Sequence, residues 1–110
     1  MSRIQRSALV MFSAEQMYYL VNDVASYPFF LPGCIGSAVL SHHDNEMVAR
    51  VDIAKAGIRQ GFTTRNQLQA AHSIAMTLVD GPFRQLQGTW TFTPLDETAC
   101  KVELALEFEF

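Results

Sequence analysis

The feature that most constrains the fold is a change of hydrophobic period at Gly33. Beyond it, apolar residues recur at every second position, which is the spacing of a strand with one covered face. The last segment shows this most clearly, because Val102, Leu104, Leu106 and Phe108 alternate with mainly charged neighbours. Turn-forming residues separate six such segments, at 34–41, 47–53, 58–68, 73–79, 85–92 and 101–110. They predict an antiparallel sheet with one wet and one covered face.

The residues before Gly33 follow a different pattern. Positions 3–12 are rich in Ile, Leu, Val and Met and predict one further strand. Ser13 and Gln16 then form a capping-box pattern, in which each side chain bonds the backbone N–H of the other at a helix start. The helix that begins there has an apolar face of Met17, Leu20, Val21 and Val24. A second short helical piece is predicted over 23–31. This order predicts a single α+β domain over residues 1–110.

The composition restricts the class of protein. The chain has 110 residues, of which 49% are hydrophobic and 17% charged, so it is sized for one globular core and is not disordered. A net charge of −3 gives no excess of Lys and Arg for non-specific nucleic-acid binding. The longest apolar run, at 8–12, is too short to span a bilayer, and no secretory signal is visible. We therefore expect a cytoplasmic protein.

Groups suited to catalysis or metal binding are not prominent. No nucleophile, base and orienting acid are indicated together. His42, His43 and Asp44 are predicted in a turn, and adjacent strand residues point to opposite faces, which argues against a metal site. Cys34 and Cys100 fit no metal-binding or redox spacing and are expected to be reduced thiols. We predict no catalytic residue, no metal ligand and no cofactor.

The covered face needs a covering layer. The early helical segment is too small to cover seven strands, and the sequence ends at Phe110 in mid-pattern. We therefore expect that a C-terminal covering helix is absent from this chain. If the five apolar residues of the last strand were left exposed to water, about 8–15 kcal/mol of stabilisation by burial would be lost. This is comparable to the whole free energy of unfolding of a small domain. The chain is accordingly predicted to self-associate through its exposed sheet face or last edge strand.

Several segments match one protein family. They are SAEQMY at 13–18, LVNDV at 20–24, SYP at 26–28, FLPGC at 30–34, KAGI at 55–58, FTTRN at 62–66, LVDGPF at 78–83 and WTFTP at 90–94. With these segments the chain resembles the coenzyme-Q-binding, polyketide-cyclase-like START family, including its bacterial ribosome-associated toxins. The resemblance implies a helix-grip fold, in which a curved antiparallel sheet grips a long C-terminal helix around a cavity. It also implies one of two non-enzymatic activities: binding of ubiquinone or a related isoprenoid or polyketide-like ligand in support of respiration, or binding of the large ribosomal subunit, which prevents subunit joining.

The covered face supplies the candidates for binding a hydrophobic small molecule. If Phe62 points inward, the same parity includes Gln60, Thr64 and Asn66, whose polar groups among apolar neighbours indicate a wet or ligand-lined cavity. Any of these three would be able to hydrogen-bond a quinone carbonyl, although packing of the sheet explains them equally well. The full candidate set is Phe30, Val51, Ile53, Ile58, Gln60, Phe62, Thr64, Asn66, Met76, Leu78, Trp90, Phe92, Leu104, Leu106 and Phe108.

Two surface features are open to alternative interpretations. The aromatic, proline-containing segment 27–32 would serve as a plug at one end of the sheet, as a lid, or as a lip for transient membrane contact. Arg50, Lys55, Arg59 and Arg65 are predicted to face outward on adjacent strands, either as solvated charges or as a contact for phosphates of ribosomal RNA. The residues themselves favour a ubiquinone-binding domain, with ribosome binding as the alternative and a cyclase as a distant third.

Overall fold

The computed structural model of the protein describes residues 2–55 and 57–109. Some positions lie outside this description, namely Met1, Ala56 and Phe110, together with the side chains of Lys55 and Ile58. The elements in chain order are β1 (Ser2–Val10), α1 (Ala14–Asn22), a 3₁₀ turn (Val24–Ser26), α2 (Tyr27–Phe30), β2 (Cys34–His43), β3 (Glu46–Lys55), β4 (Ile58–Gln69), β5 (Ser73–Asp80), β6 (Gln85–Asp96) and β7 (Ala99–Glu109). Short N-terminal helices and seven strands confirm the predicted α+β class.

The seven strands form one curved antiparallel sheet in the order β1-β7-β6-β5-β4-β3-β2. β1 and β2 are therefore its two edges. β1 pairs with β7 without interruption. The pairing of β2 with β3 is irregular at two places, between Cys34 and Gly36 and between Val39 and Ser41. The two edges thus differ in regularity, because such bulges twist and bend an edge strand.

Most strand boundaries lie within a few residues of the prediction, but one predicted turn is displaced. The sequence predicts His42 and His43 in a turn, whereas both belong to the end of β2 and pair with the first residues of β3. The turn that follows is closed by Asp44, whose φ of 50° is tolerated best by residues such as Asp, Asn and Gly. The prediction was wrong here because partners on β3 continue the ladder past the last apolar residue of β2.

The capping box predicted at the start of α1 is confirmed. The Ser13 hydroxyl oxygen accepts a hydrogen bond from the Gln16 backbone N–H at 3.1 Å. The Gln16 side-chain oxygen accepts one from the Ser13 backbone N–H at 2.9 Å. Two backbone donors that the helix itself leaves unpaired are therefore satisfied.

The buried face of α1 differs in part from the prediction. Met17 and Val21 pack against the core as expected. Leu20, however, is 45% exposed, and the residues that α1 buries are Ala14 and Tyr18. The helix is thus rotated so that Tyr18, and not its neighbour Tyr19, faces the sheet, which apolar spacing alone does not indicate.

The core lies at one end of the concave face, where α1 packs across β6 and β7. We call this the closed end. The rings of Tyr18 and Phe92 meet edge to face there, with centroids 5.9 Å apart. Phe92 and Cys100 are 1% and 0% exposed. The buried core consists of Ala14, Tyr18, Val24, Met47, Ala49, Leu68, Ile74, Phe92, Cys100 and Val102.

The other end of the concave face, where β2 begins and β7 finishes, has no such layer in the described part of the chain; we call it the open end. The apolar strip of β7 is nevertheless less exposed than predicted. Val102 is buried by the closed-end core, and Leu104, Leu106 and Phe108 are half-buried. Phe110, the fifth member of the strip, lies outside the described residues. Self-association of the chain, which would follow from a strip fully exposed to water, stays a prediction.

The 3₁₀ turn and α2 lie along the edge strand β2. The Ser37 hydroxyl donates to the Val24 carbonyl oxygen at 2.6 Å, and the Tyr27 hydroxyl donates to the Val21 carbonyl oxygen. These bonds attach the segment to both α1 and the sheet. None of the helices within the described ranges has the length and apolar character needed to cross a bilayer.

Candidate functional site

Strand register brings the predicted ligand-binding residues together on the concave face. Paired residues of neighbouring antiparallel strands point to the same side of a sheet. Asn66 pairs with Met47 and Met76, and Met76 pairs with Gly88, which pairs with Leu106. The same face carries every predicted sheet residue with a described side chain, namely Val51, Ile53, Gln60, Phe62, Thr64, Asn66, Met76, Leu78, Trp90, Phe92, Leu104, Leu106 and Phe108. Their role in binding a ligand stays a prediction, and the side chain of Ile58 lies outside the description.

Thr64 and Asn66 form a polar pair in the middle of this apolar face. They are 7% and 6% exposed, and the Thr64 hydroxyl donates to the Asn66 side-chain oxygen at 2.8 Å. Within the described residues, the Asn66 amide nitrogen donates to no protein acceptor. It is therefore available to a carbonyl oxygen of a bound molecule. Gln60, the third polar candidate, is exposed near the open end and does not join this pair.

Gly88 and Trp90 shape the central part of the concave face. A Cβ atom at Gly88 would lie 2.8 Å from Leu106 Cδ1 and 3.3 Å from Met76 Cε, so the missing side chain makes room for these two. Trp90 is half-buried and stacks on Phe92, with ring centroids 6.5 Å apart and planes inclined by 11°. Trp90 thus marks the border between the closed-end core and the open part of the face.

Three aromatic rings line the open end. Phe83, from the loop between β5 and β6, meets Phe62 edge to face at 6.1 Å and Phe108 at 6.0 Å. Sequence reasoning missed Phe83, because a loop residue has no alternating neighbours that reveal its direction. The available signal was the Gly81-Pro82 turn just before it, which folds the loop back towards the sheet. Phe83 therefore joins the candidate site as part of its apolar lining.

Phe30, the predicted ligand-binding residue outside the sheet, belongs to α2. Its ring meets Tyr27 edge to face at 5.7 Å, and the residue is 47% exposed. Phe29 beside it is 88% exposed. In this conformation the segment leaves its aromatic tip in solvent instead of lying over the concave face.

The convex face carries three of the four residues predicted to contact the ribosome. The register places Arg50, Arg59 and Arg65 on the side opposite the ligand candidates. Lys55 was predicted on the same stripe, but an odd number of positions separates it from Arg50 on one strand, and it pairs with Ile58. The backbone register therefore does not group Lys55 with the arginines, and its side chain lies outside the description. We call Arg50, Arg59 and Arg65 the convex arginines.

Carboxylates neutralise two of the convex arginines. Arg50 contacts Asp52 at 2.9 Å, and Arg65 contacts Glu46 at 3.0 Å. Arg59 is exposed and has no ion-pair partner within residues 2–55 and 57–109. The patch therefore has one net positive charge, centred on Arg59. Counting charges along the sequence could not show this, because the register decides which charges meet.

The Arg50–Asp52 ion pair lies over Gly61. A Cβ atom at Gly61 would lie 2.3 Å from both Arg50 Nη2 and Asp52 Oδ1. With Ile35 and Arg59, these residues line an open cavity of about 290 Å³ at the edge of the sheet. An apolar side chain and two guanidinium groups are thus neighbours at the open end.

Reactive side chains do not gather at either face in the part of the chain described. No group of three or more His, Cys, Asp or Glu residues there is placed to hold a metal ion. Cys34 and Cys100 are buried free thiols, and burial raises the pKa of Cys100. Burial raises the pKa of Tyr27 to about 12, with smaller electrostatic contributions from Asp23 and Cys34. Raised pKa values keep such groups protonated and poorly nucleophilic at pH 7.

Comparison with known proteins identifies the family. The family described as "Polyketide cyclase / dehydrase and lipid transport" matches residues 10–110. The chain belongs to this family. The ZhuI aromatase/cyclase from Streptomyces sp. R1128 has the same fold, with a TM-score of 0.89 over 97% of this chain and 67% of that one. At 22% identity this likeness shows the fold alone, and it confirms the helix-grip, START-like architecture.

Two proteins with sequences similar to this chain are named for different activities. The ribosome association toxin RatA of Vibrio cholerae is 67% identical over 110 residues, which is all of this chain and 76% of the toxin. The mitochondrial coenzyme Q-binding protein COQ10 homolog B of Xenopus laevis is 29% identical over 108 residues, covering 94% of this chain and 44% of that protein. The relatives of this chain therefore include one that is named for ribosome association and one that is named for coenzyme Q binding.

Proposed function

We propose that the protein associates with ribosomes, as the Vibrio cholerae toxin does by its name. The observation that carries the proposal is 67% identity over the whole chain, far above the 29% shared with the coenzyme Q-binding protein. The target that we propose is the large subunit, whose occupation by this domain blocks subunit joining and so inhibits translation. The activity is one of binding and not of catalysis, and it takes place in the cytoplasm.

The convex arginines are the proposed contact with ribosomal RNA. Guanidinium groups bind phosphates through paired N–H donors, and each contact releases counterions. Arg59 contributes most in this proposal, since no carboxylate within the described residues competes for it. Arg65 is paired with Glu46 at 3.0 Å. It must either release Glu46 or keep it as a partner while other N–H donors of the guanidinium bind a phosphate.

The test is co-sedimentation of the protein with purified large subunits. We expect the double variant Arg59→Glu/Arg65→Glu to bind at least about tenfold more weakly and to have a shallower salt dependence, by about one unit for each lost phosphate contact. The matched control is Arg3→Glu/Arg84→Glu, which makes the same change of charge elsewhere. Arg3 is a suitable counterpart of Arg65, because it is also exposed and paired with a glutamate, Glu107, at 3.2 Å.

Two outcomes would contradict the proposal. If the folded Arg59/Arg65 variant co-sediments as the unmodified protein does, the convex arginines are not the contact. If the unmodified protein does not co-sediment with large subunits at all, the ribosome is not its target. Circular dichroism of both double variants controls for unfolding.

A second function is proposed for the concave face, namely binding of ubiquinone or a related hydrophobic ligand. The observation that favours it is the buried Thr64–Asn66 pair, which leaves an amide donor facing an otherwise apolar surface. A quinone carbonyl is a suitable acceptor, and Phe62, Met76 and Leu78 offer apolar contact to an isoprenoid tail. The coenzyme Q-binding relative supports the same ligand class.

Trp90 provides the measurement for this second function. It is the single tryptophan of the chain and lies on the concave face, so a bound quinone is expected to quench its fluorescence. We expect Asn66→Leu to weaken ubiquinone binding about tenfold, the value of one buried hydrogen bond. Gln67→Leu is the matched control, because Gln67 is exposed on the opposite face. Quenching that is absent, or equal in both variants, would contradict the proposed site.

A further inference from the structure

The chain from α2 to the start of β2 exposes an apolar tip, which consists of Phe29, Phe30, Leu31 and Ile35. Their exposed fractions are 88%, 47%, 41% and 52%. Residues 24–41 contain no Asp, Glu, Lys or Arg. Exposed apolar side chains are common singly, but a contiguous group in an uncharged segment marks an interaction surface.

The protein holds this tip in place by several bonds. The Leu31 backbone N–H donates to the Tyr27 carbonyl oxygen at 2.8 Å, and the Tyr27 hydroxyl donates to the Val21 carbonyl oxygen. Gly33, with φ of 83°, turns the chain so that its carbonyl oxygen accepts from the Ala54 backbone N–H at 2.8 Å. The exposure of Phe29 is therefore the result of an ordered backbone and not of an untethered loop.

Positive charge lies directly beside the tip. Ile35 lines the same open cavity as Arg50 and Arg59. Arg50 is paired with Asp52, but Arg59 has no carboxylate partner within the described residues. Apolar side chains next to the guanidinium group of Arg59 are complementary to a bilayer surface, where acyl chains lie just below anionic phosphates.

We propose that the apolar tip docks reversibly on an anionic lipid bilayer, with Phe29 inserted at the interface and Arg59 against lipid phosphates. A protruding tip fits a deformable lipid surface, which yields around an inserted ring without needing a matching pocket. The tip adjoins the open end, since Gly33 bonds Ala54 at the end of β3. Docking thus turns the open end of the concave face towards the membrane. The proposal shares Arg59 with the ribosome contact proposed above, but it rests on the apolar tip and does not require ribosome binding or quinone binding.

The test uses co-sedimentation with vesicles of phosphatidylcholine alone and of phosphatidylcholine with phosphatidylglycerol. We expect binding to the anionic vesicles, and Phe29→Ser should lower the partition coefficient roughly tenfold or more, the effect of withdrawing one aromatic side chain from an apolar phase. Arg59→Gln should lower binding to anionic vesicles only. Met11→Ser is the matched control, because Met11 is 77% exposed at a different place. Phe29 is so exposed that its replacement leaves the core untouched.

Other occupants of the tip would appear as different results. Equal vesicle binding by the Phe29 and Met11 variants would overturn the proposal. Loss of ribosome co-sedimentation in Phe29→Ser, without loss of vesicle binding, would assign the tip to a ribosomal surface instead. A vesicle-free dimer that Phe29→Ser dissociates would assign it to a second copy of the chain, and sedimentation equilibrium detects that case.

Discussion

The same strands form both ends of the concave face, but the two ends are covered to different extents. At the closed end, α1 lies on the sheet and Phe92 is 1% exposed. At the open end, Ile53 on the same face is 38% exposed, and Phe62 is half-buried beneath a single loop ring, Phe83. The residues that stabilise the fold and the residues that remain available for binding are therefore separated along the strands. Apolar area already covered stabilises the domain, while area left partly wet is available to a ligand or a surface.

The largest effect that distinguishes the ends is expected from truncating one phenylalanine at each. Phe92→Ala should lower the free energy of unfolding by about 3–5 kcal/mol, because the ring is enclosed and its loss leaves a cavity. Phe62→Ala should cost roughly 1–2 kcal/mol, since part of that ring is already in water. Urea unfolding followed by circular dichroism measures both. Equal losses would mean that the open end contributes to the core as much as the closed end does.

A smaller effect concerns Tyr27 of α2, whose hydroxyl donates a hydrogen bond to the Val21 carbonyl oxygen of α1. Burial, with Asp23 and Cys34 nearby, raises its pKa to about 12 from a usual value of 10. Between about pH 10 and pH 12 the unfolded chain loses this proton while the folded protein keeps it, so stability falls as pH rises through that window. The total is roughly 2–3 kcal/mol, from two pKa units.

Replacing Tyr27 by Phe checks this assignment. The variant should lose about 1 kcal/mol at pH 7, the value of the hydrogen bond to the Val21 carbonyl oxygen. Its unfolding free energy should then decline less steeply than that of the unmodified protein from about pH 10 to pH 12. An alkaline decline of undiminished slope would show that other groups govern it, and Tyr18, whose pKa burial also raises, is the next candidate.

The smallest predicted effect tests the helix that closes the closed end. Ser13→Ala removes a capping hydroxyl that accepts from the Gln16 backbone N–H, and should cost about 1 kcal/mol. Ser26→Ala is the matched control, since Ser26 precedes α2 but makes no capping bond with its side chain. Thermal unfolding of the two variants gives the comparison. A similar fall in melting temperature for both variants would mean that the capping hydrogen bond of α1 does not contribute to the stability of the domain.

Local patterns predicted much of this structure, and contacts between distant residues account for the rest. The capping box of Ser13 depends on residues three apart, and the alternation along β7 depends on residues two apart, so both could be recognised in the sequence. The exposure of Leu20 depends on how α1 is rotated against Phe92, which lies far along the chain. The neutralised convex arginines depend on ion pairs such as Arg65 with Glu46, which the register of β3 and β4 brings together.

The two edge strands of the sheet differ in the features that would oppose pairing with another chain. β1 is regularly paired, and although its Arg3 is paired with Glu107, Arg6 remains, so the same edge of a second copy meets like charge there. β2 has no Asp, Glu, Lys or Arg, and its protection is the pair of irregularities in its backbone. Electrostatic protection weakens as salt screens it, whereas a bent backbone is indifferent to salt. In concentrated or saline solution, filaments of this protein would therefore begin at β1, the edge that is regular and charged.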